Sequence, residues 1–353
     1  MEARAYACYN KNINVRMNSS SGGIFYLFAQ TVIRAGGVVF GARFNGDWEV
    51  EHGWFEEIKD ISSYMQSKYV QSDVGDTYQT AKKFLESGRS VLYSGTPCQI
   101  SGLKTFLGKE YSNLMTIDFI CHGVPSPMIW RRYLSEISAG KVIKSISFRD
   151  KTEGWMDFSL KIDYQDGSVY RKTLREDVYM QGFLQDLYLR PSCYECSFRG
   201  IKRDSDITLA DFWNGQKMLP NMVDNKGTSV LLVHTEKGEK ILEDINAEIE
   251  ICEVPLEFVK STNSAIEKSC EMNPKRMKFY ASIHKGMIKA IKRQTQVLMW
   301  VRIKRKIKRL LKYLNSRLGD EDGKKKFRFC IKIKKSVVDV RLAMQAVLKR
   351  LYK

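Results

Sequence analysis

The sequence predicts a mixed α/β (α+β) protein: a mixed sheet with flanking helices over residues 1–265, then a basic helical C-terminal extension over 266–353. Three observations carry this. Strand-like and helix-like text alternates through the first 120 residues in a β-α-β rhythm. Hairpin text fills the stretch from about Lys141 to Thr173. The positive charge is confined to the C-terminal end. With 353 residues, 43% of them hydrophobic, the chain is long enough to bury a sizeable core.

The elements follow in order. "NSSSGGIFYLFAQTVIRAGG" has serines suited to an N-cap, then apolar residues at helical spacing up to the stop at Gly36-Gly37. "VVFGARF" reads as a strand and "WEVEHGWF" as its hairpin partner. "TYQTAKKFLESGR" is an amphipathic helix ending at Gly88. Two short apolar runs, "SVLYSG" and "LMTIDFI", flank a helical stretch through "GLKTFLG", as in a parallel or mixed sheet. "VIKSISFRD" and "FSLKIDYQDGSVYRKTL" are strands, with Asp166-Gly167 as a hairpin turn. "EDVYMQGFLQDLYL" is a helix, and "SDITLADFW" and "GTSVLLVHT" are strands.

The formal net charge of +18 suggests nucleic-acid binding until it is located. From Lys285 to Lys353 there are 23 Lys and Arg against 4 Asp and Glu, so 35 basic and 36 acidic residues remain before it. The body is electrically neutral, and the charge describes the tail rather than the main site. The start, "MEARAYACYN", has no signal-like apolar segment and no apolar run is long enough to span a bilayer, so a cytoplasmic location is expected.

In a reducing compartment the eight cysteines are thiols, and clustered ones are metal ligands more readily than disulfides. "SVLYSGTPCQ" delivers Cys98 just after one strand, and "TIDFICHGVPS" delivers Cys121 just after the next. Open α/β sheets bind ligands beyond the carboxyl ends of their strands, so these two are expected to be neighbours. "RPSCYECSFRG" adds Cys193 and Cys196 as a C-x-x-C loop in which both sulfurs can face one point. Four soft thiolates suit structural zinc or a 4Fe-4S cluster equally well on this pattern. Cys8, Cys252, Cys270 and Cys330 lack such context and read as ordinary thiols.

Together, "SSSGGIF", "SKYVQSD", "YSGTPCQISGL", "DFICHGVPS" and "RPSCYECSFRGIKRDSDITLADFW" resemble the beta-subunit family of coenzyme F-420 hydrogenases and dehydrogenases. The likeness is to its bacterial branch, often found with surface-polysaccharide synthesis, and covers roughly residues 5–260. It implies an iron-sulfur flavoprotein oxidoreductase that passes electrons between a 4Fe-4S cluster, FAD and a small acceptor, coenzyme F-420 or another. By the same resemblance Cys98, Cys121, Cys193 and Cys196 are the cluster ligands. Many relatives carry an N-terminal ferredoxin module, whereas only Cys8 precedes Ser19 here, so a ferredoxin or other donor protein is the expected electron source.

For the flavin, "NSSSGG" before a helix offers Ser20, Ser21, Gly22 and Gly23 as an anion-binding turn, and "SKYVQS" offers Lys68 for a phosphate or flavin nitrogen and Tyr69 for stacking. A plain N-cap with a glycine packed on a sheet explains the first stretch as well. His122, beside Cys121, is the expected catalytic group, tuning the cluster through a hydrogen bond or passing a proton to reduced flavin. Arg199, Lys202 and Arg203 read either as counter-charges to a thiolate-ligated cluster or as a solvated rim.

"LMWVRIKRKIKRLLKYLNSRL" is basic and amphipathic, the composition of a helix lying on an anionic membrane surface or packed on the body. Peripheral contact at the inner membrane face is the expectation for the 285–353 tail, with no specific nucleic acid as a partner. The rival functional reading is a non-enzymatic, metal-stabilised scaffold that docks on membrane or glycan-synthesis partners through that tail.

Overall fold

The computed structural model describes residues 3–295; the amphipathic tail expected beyond them lies outside the described residues. The compact unit spans Met1–Thr295. Its centre is an eight-stranded mixed sheet, as the alternating text implied. The strands are β1 (Arg4–Asn10), β2 (Val38–Phe44), β3 (Val50–Phe55), β4 (Val91–Ser94), β5 (Leu114–Phe119), β6 (Ile143–Asp150), β7 (Ser159–Tyr164), β8 (Val169–Thr173), β9 (Ile207–Asp211), β10 (Ser229–Val233) and β11 (Ile249–Glu253). The large sheet runs β11-β1-β10-β9-β5-β4-β2-β3, and β6-β7-β8 form a separate antiparallel sheet.

Strands β2, β4, β5 and β9 are mutually parallel and form the middle of the large sheet. β2 and β4 are largely apolar on both faces, as parallel strands covered on both sides are, whereas β5 and β9 bury Thr116, Asp118 and Thr208 on one face. Val38, Phe40, Val91, Tyr93 and Leu114 pack against helices Thr77–Glu86 and Pro97–Leu107. The alternate residues Val39, Leu92, Met115 and Ile117 pack with Leu27 and Phe28 of helix Ile24–Arg34. Strands β1 and β11 carry no strand reading in the sequence. They join through β10, a pairing set by residues more than 200 positions apart.

The small sheet closes over an aromatic core of Trp130, Tyr133, Phe148, Tyr179 and Tyr188. Phe279, Met287 and Ile291 complete it, so helices Arg276–Tyr280 and Met287–Thr295 belong to the same packed body. The Asp166-Gly167 turn is present, with Gly167 at φ +81°. Helix Ile24–Arg34 begins at an N-cap Gly23 in the left-handed region rather than at one of the serines. Among the described residues no helix is long and apolar enough to cross a membrane.

Candidate functional site

The register of β4 on β5 (Tyr93 with Thr116, Ser94 with Ile117) sends both chains out of the sheet at the same edge. The chain leaving β4 turns at once into helix Pro97–Leu107. Gln99 Oε1 accepts from the Thr96 N–H at 2.9 Å, and Pro97 occupies the first helical position. Cys98 therefore sits in the first helical turn, exposed, with Thr96 Oγ1 3.0 Å from its sulfur.

Cys121 follows β5. Burial pushes its thiol up to about 12, and the nearby Cys193 and Cys98 push the same way against Arg199. The loop after Cys121 runs beside the segment entering the C-x-x-C: Arg190 N–H donates to Val124 O at 2.8 Å, and Pro125 bridges Leu189. Gly123 makes this approach possible. Its φ is +145°, and a Cβ there would lie 2.9 Å from Leu189 Cδ1 and 3.3 Å from Cys193 Cβ. Cys193 ends a short turn, its thiol raised by burial and by the Cys98 and Cys196 sulfurs. The Cys196 N–H is held by Ser269 Oγ at 3.1 Å.

The four sulfurs thus gather from three segments at one end of the parallel strands. They are not tightly packed: no three of them lie within 4.8 Å of one another. Arg199 is inserted between segments rather than solvated. Its guanidinium donates to Cys121 O, to Ala265 O at 2.6 Å and to His122 O at 3.2 Å. Arg203 is also enclosed, donating to Phe198 O at 3.0 Å and facing Asp118 across 3.9 Å.

The His122 ring faces Asp186, with Nε2 2.7 Å from Oδ1, and packs edge-on against Phe183. Cys270 is the member that sequence reasoning missed. Its thiol donates to His122 O at 3.0 Å and is pushed up to about 12 by burial and Asp186. It follows Cys196 by 74 positions with no motif around it, so no local signal marks it. Cys8 is fully buried in β1, Cys252 is half-buried in β11, and Cys330 lies outside the described residues.

The two stretches expected at a flavin meet each other. Ser20 Oγ lies 2.9 Å from Ser67 Oγ and accepts from the Ser67 N–H at 2.6 Å. Their polar groups are used internally. Ser21 Oγ donates to Thr228 O at 2.8 Å, and Gly22 packs on β1 and β10, where a Cβ would fall 2.6 Å from Cys8 O. Lys68 is partly exposed as a residue, but its ammonium is enclosed and donates to Met65 O at 2.8 Å; burial pushes it down to about 7. Lys151 is held likewise by the carbonyls of Arg16, Ser21 and Lys226, each at 2.7 Å, and is also pushed down to about 7 by burial. Neither lysine is in an ion pair among the described residues.

Tyr69 accepts from Arg149 at 3.0 Å and packs its ring 4.9 Å from Phe183. Phe183 in turn lies 5.1 Å from the His122 ring. Two aromatic contacts therefore connect the Ser20/Lys68/Tyr69 region with the cysteine loops.

At the same strand edge, His52 is buried with Nε2 3.1 Å from Ser94 O and Nδ1 without a partner. Burial pushes it down to about 4, and His234, beside Thr208, is pushed down to about 4 likewise. Between about pH 6.5 and pH 4 the unfolded chain takes up protons that these folded imidazoles refuse. Stability is therefore expected to fall as pH drops through that window, by up to about 1.4 kcal/mol per pH unit for each residue. Urea titrations across pH 4–7 test this: His52→Gln should flatten the slope, and an unchanged slope would contradict it.

Comparison with known proteins adds three findings. Residues 88–259 match the family model for the C terminus of the coenzyme F420 hydrogenase/dehydrogenase beta subunit. A chain of the F420-reducing nickel-iron hydrogenase complex from Methanosarcina barkeri, solved as a xenon derivative, is similar at 15% identity and a TM-score of 0.49, covering 80% of this chain and 93% of that one. No curated protein matches.

Proposed function

On the premise of the match of residues 88–259, we propose that the chain belongs to the coenzyme F-420 hydrogenase/dehydrogenase beta-subunit family and is an iron-sulfur flavoprotein oxidoreductase. The observation that carries the reading is the gathering of Cys98, Cys121, Cys193 and Cys196 at the carboxyl edge of β4 and β5, with Gly123 bringing two of the loops into contact. The donor set is all thiol, which suits iron-sulfur iron or zinc. The match to the hydrogenase beta-subunit family favours the former.

When bound, the cluster supplies one-electron transfer and the flavin supplies hydride-type chemistry on a small acceptor. The protein's own groups would do the rest. The four cysteines hold the cluster, and Arg199 fixes the Cys121–His122 backbone while placing positive charge beside the thiolates. The Ser20–Gly23 turn and Lys68 are kept at the pyrophosphate of FAD by the family resemblance alone, because their hydrogen bonds, like the three of Lys151, are made within the chain. Tyr69 offers a ring to the flavin, and Phe183 lies between it and His122. His122, with Asp186 on Nε2, is the group proposed to hold or move a proton there.

Electron delivery by a ferredoxin or other donor protein, a small acceptor that is coenzyme F-420 or another, a place in surface-polysaccharide synthesis and contact of the basic tail with anionic membrane are carried as parts of the same proposal. Anoxically purified full-length protein should be brown, contain four iron and four acid-labile sulfide per chain, and release FAD on denaturation. Colourless protein whose metal is zinc held by the four thiols would overturn the redox reading in favour of a metal-stabilised scaffold.

A further inference from the structure

A second group of metal-ligating side chains stands beside the four thiols but shares none of them. His122, Asp186 and Cys270 each offer a donor atom, and the three atoms lie within 4.8 Å of one another. Nε2 of His122 is 2.7 Å from Asp186 Oδ1, and Cys270 Sγ is 3.6 Å from each ring nitrogen. On a tetrahedral zinc, with Zn–S about 2.3 Å and Zn–N about 2.0–2.1 Å, sulfur and nitrogen ligands lie about 3.6 Å apart. The sulfur–nitrogen separation is that of two ligands on one zinc, and because the sulfur is equally far from both nitrogens it lies over the ring face, so the imidazole turns when the ion enters.

The three residues come from unconnected segments, and each is fixed by contacts that do not use its donor atoms. Arg199 holds His122 O at 3.2 Å, and Phe183 packs on the imidazole edge. Asp186 O accepts from Tyr194 Oη at 2.6 Å. Asn273 Nδ2 donates to Gln185 O at 2.6 Å, which ties the segment bearing Cys270 onto the turn bearing Asp186. A ligand set supported in this way gives up little conformational freedom when an ion enters.

We propose that His122, Asp186 and Cys270 bind one divalent cation of the zinc class, independently of what the four thiols hold and in place of the proton-carrying role given to His122 above. A thiolate and a carboxylate balance the charge of the ion, and sulfur with imidazole selects zinc over magnesium or calcium. The Cys270 thiol proton, now donated to His122 O, is released to solvent as the sulfur–zinc bond forms. Three protein ligands leave the fourth tetrahedral position for water or for an oxygen of a substrate, such as a carboxylate or phosphate. That position can be reached from solvent, since the side chains of His122 and Asp186 are 37% and 23% exposed.

The test offers zinc chloride to the anoxically purified full-length protein, removes the excess by gel filtration, and measures zinc and iron in the same sample. One zinc per chain beyond the iron is expected. Cys270→Ser and Asp186→Asn should each weaken zinc retention by at least about 100-fold and leave iron unchanged. Cobalt(II) in place of zinc should give a thiolate charge-transfer band that Cys270→Ser removes. Failure to retain zinc, or retention unaffected by either substitution, overturns the proposal. Zinc lost instead in Cys98→Ser would assign it to the four thiols and would sink the cluster reading as well. Asp186→Asn decides the matter if the serine variant does not fold.

Discussion

Anoxically prepared Cys121→Ser protein is expected to lose most of its visible absorption, with iron and acid-labile sulfide falling to a small fraction of the wild-type content. Cys121 is the most enclosed of the four proposed ligands: burial raises its thiol to about 12, so the free protein keeps it protonated. A bound metal must displace that proton, and a serine hydroxyl gives it up far less readily and is a poorer ligand for soft iron. The position cannot be replaced from nearby, because the adjacent loop is fixed by the Arg190–Val124 hydrogen bond and by the close approach at Gly123. Cys98→Ser and Cys193→Ser should behave alike. Cys252→Ser, in edge strand β11, should keep its full iron content. Wild-type iron in Cys121→Ser would remove this residue from the ligand set.

The largest expected effect on stability is at Asp211. Arg149 is buried, its side chain 3% exposed, and its two terminal nitrogens meet the Asp211 carboxylate at 3.1 and 3.2 Å. The guanidinium also meets the Tyr69 hydroxyl and the Phe158 and Trp213 rings, none of them an anion, and its Nε already has no partner. Asp211→Ala leaves this charge enclosed without an anion and should cost about 3–5 kcal/mol in urea unfolding. The double variant Arg149→Met with Asp211→Leu removes the charge as well as its partner and should recover most of that loss. A single variant within about 1 kcal/mol of wild type would mean that water or Tyr69 compensates the guanidinium, contrary to this account. The pair also steadies Tyr69, so weaker retention of flavin is expected in the single variant than in the double.

The sequence was informative wherever structure is local. The runs at "SVLYSG" and "LMTIDFI" are short, apolar and separated by a helix, and they are the adjacent parallel strands β4 and β5. Their C-terminal edge then follows from chain direction, so Cys98 and Cys121 could be placed beside each other without coordinates. The hairpin at Asp166-Gly167 was legible for the same reason, because a tight turn needs a residue free to take positive φ. The serine-rich turn was not. Serine looks like an N-cap in any local reading, yet Gly23 takes that role while Ser20 and Ser21 bind Ser67 and Thr228. Arg199 was open to two readings, and its three carbonyl partners come from segments about 65 to 80 positions away.

By itself, then, the chain's text determined the α/β class, the neutral body with its basic end, a resemblance that the family model over residues 88–259 matches, and the cysteines that strand ends and a short loop deliver. Only the tertiary structure decided that strands β1 and β11 extend the sheet, that Arg199 is an internal brace, and that Cys270 and Asp186 stand beside His122. The physical reason is one of range. Periodicity and turn chemistry are set by neighbours a few residues apart, whereas pairing through β10 and the docking of residues 270–273 on the turn at Asp186 depend on contacts across the whole chain.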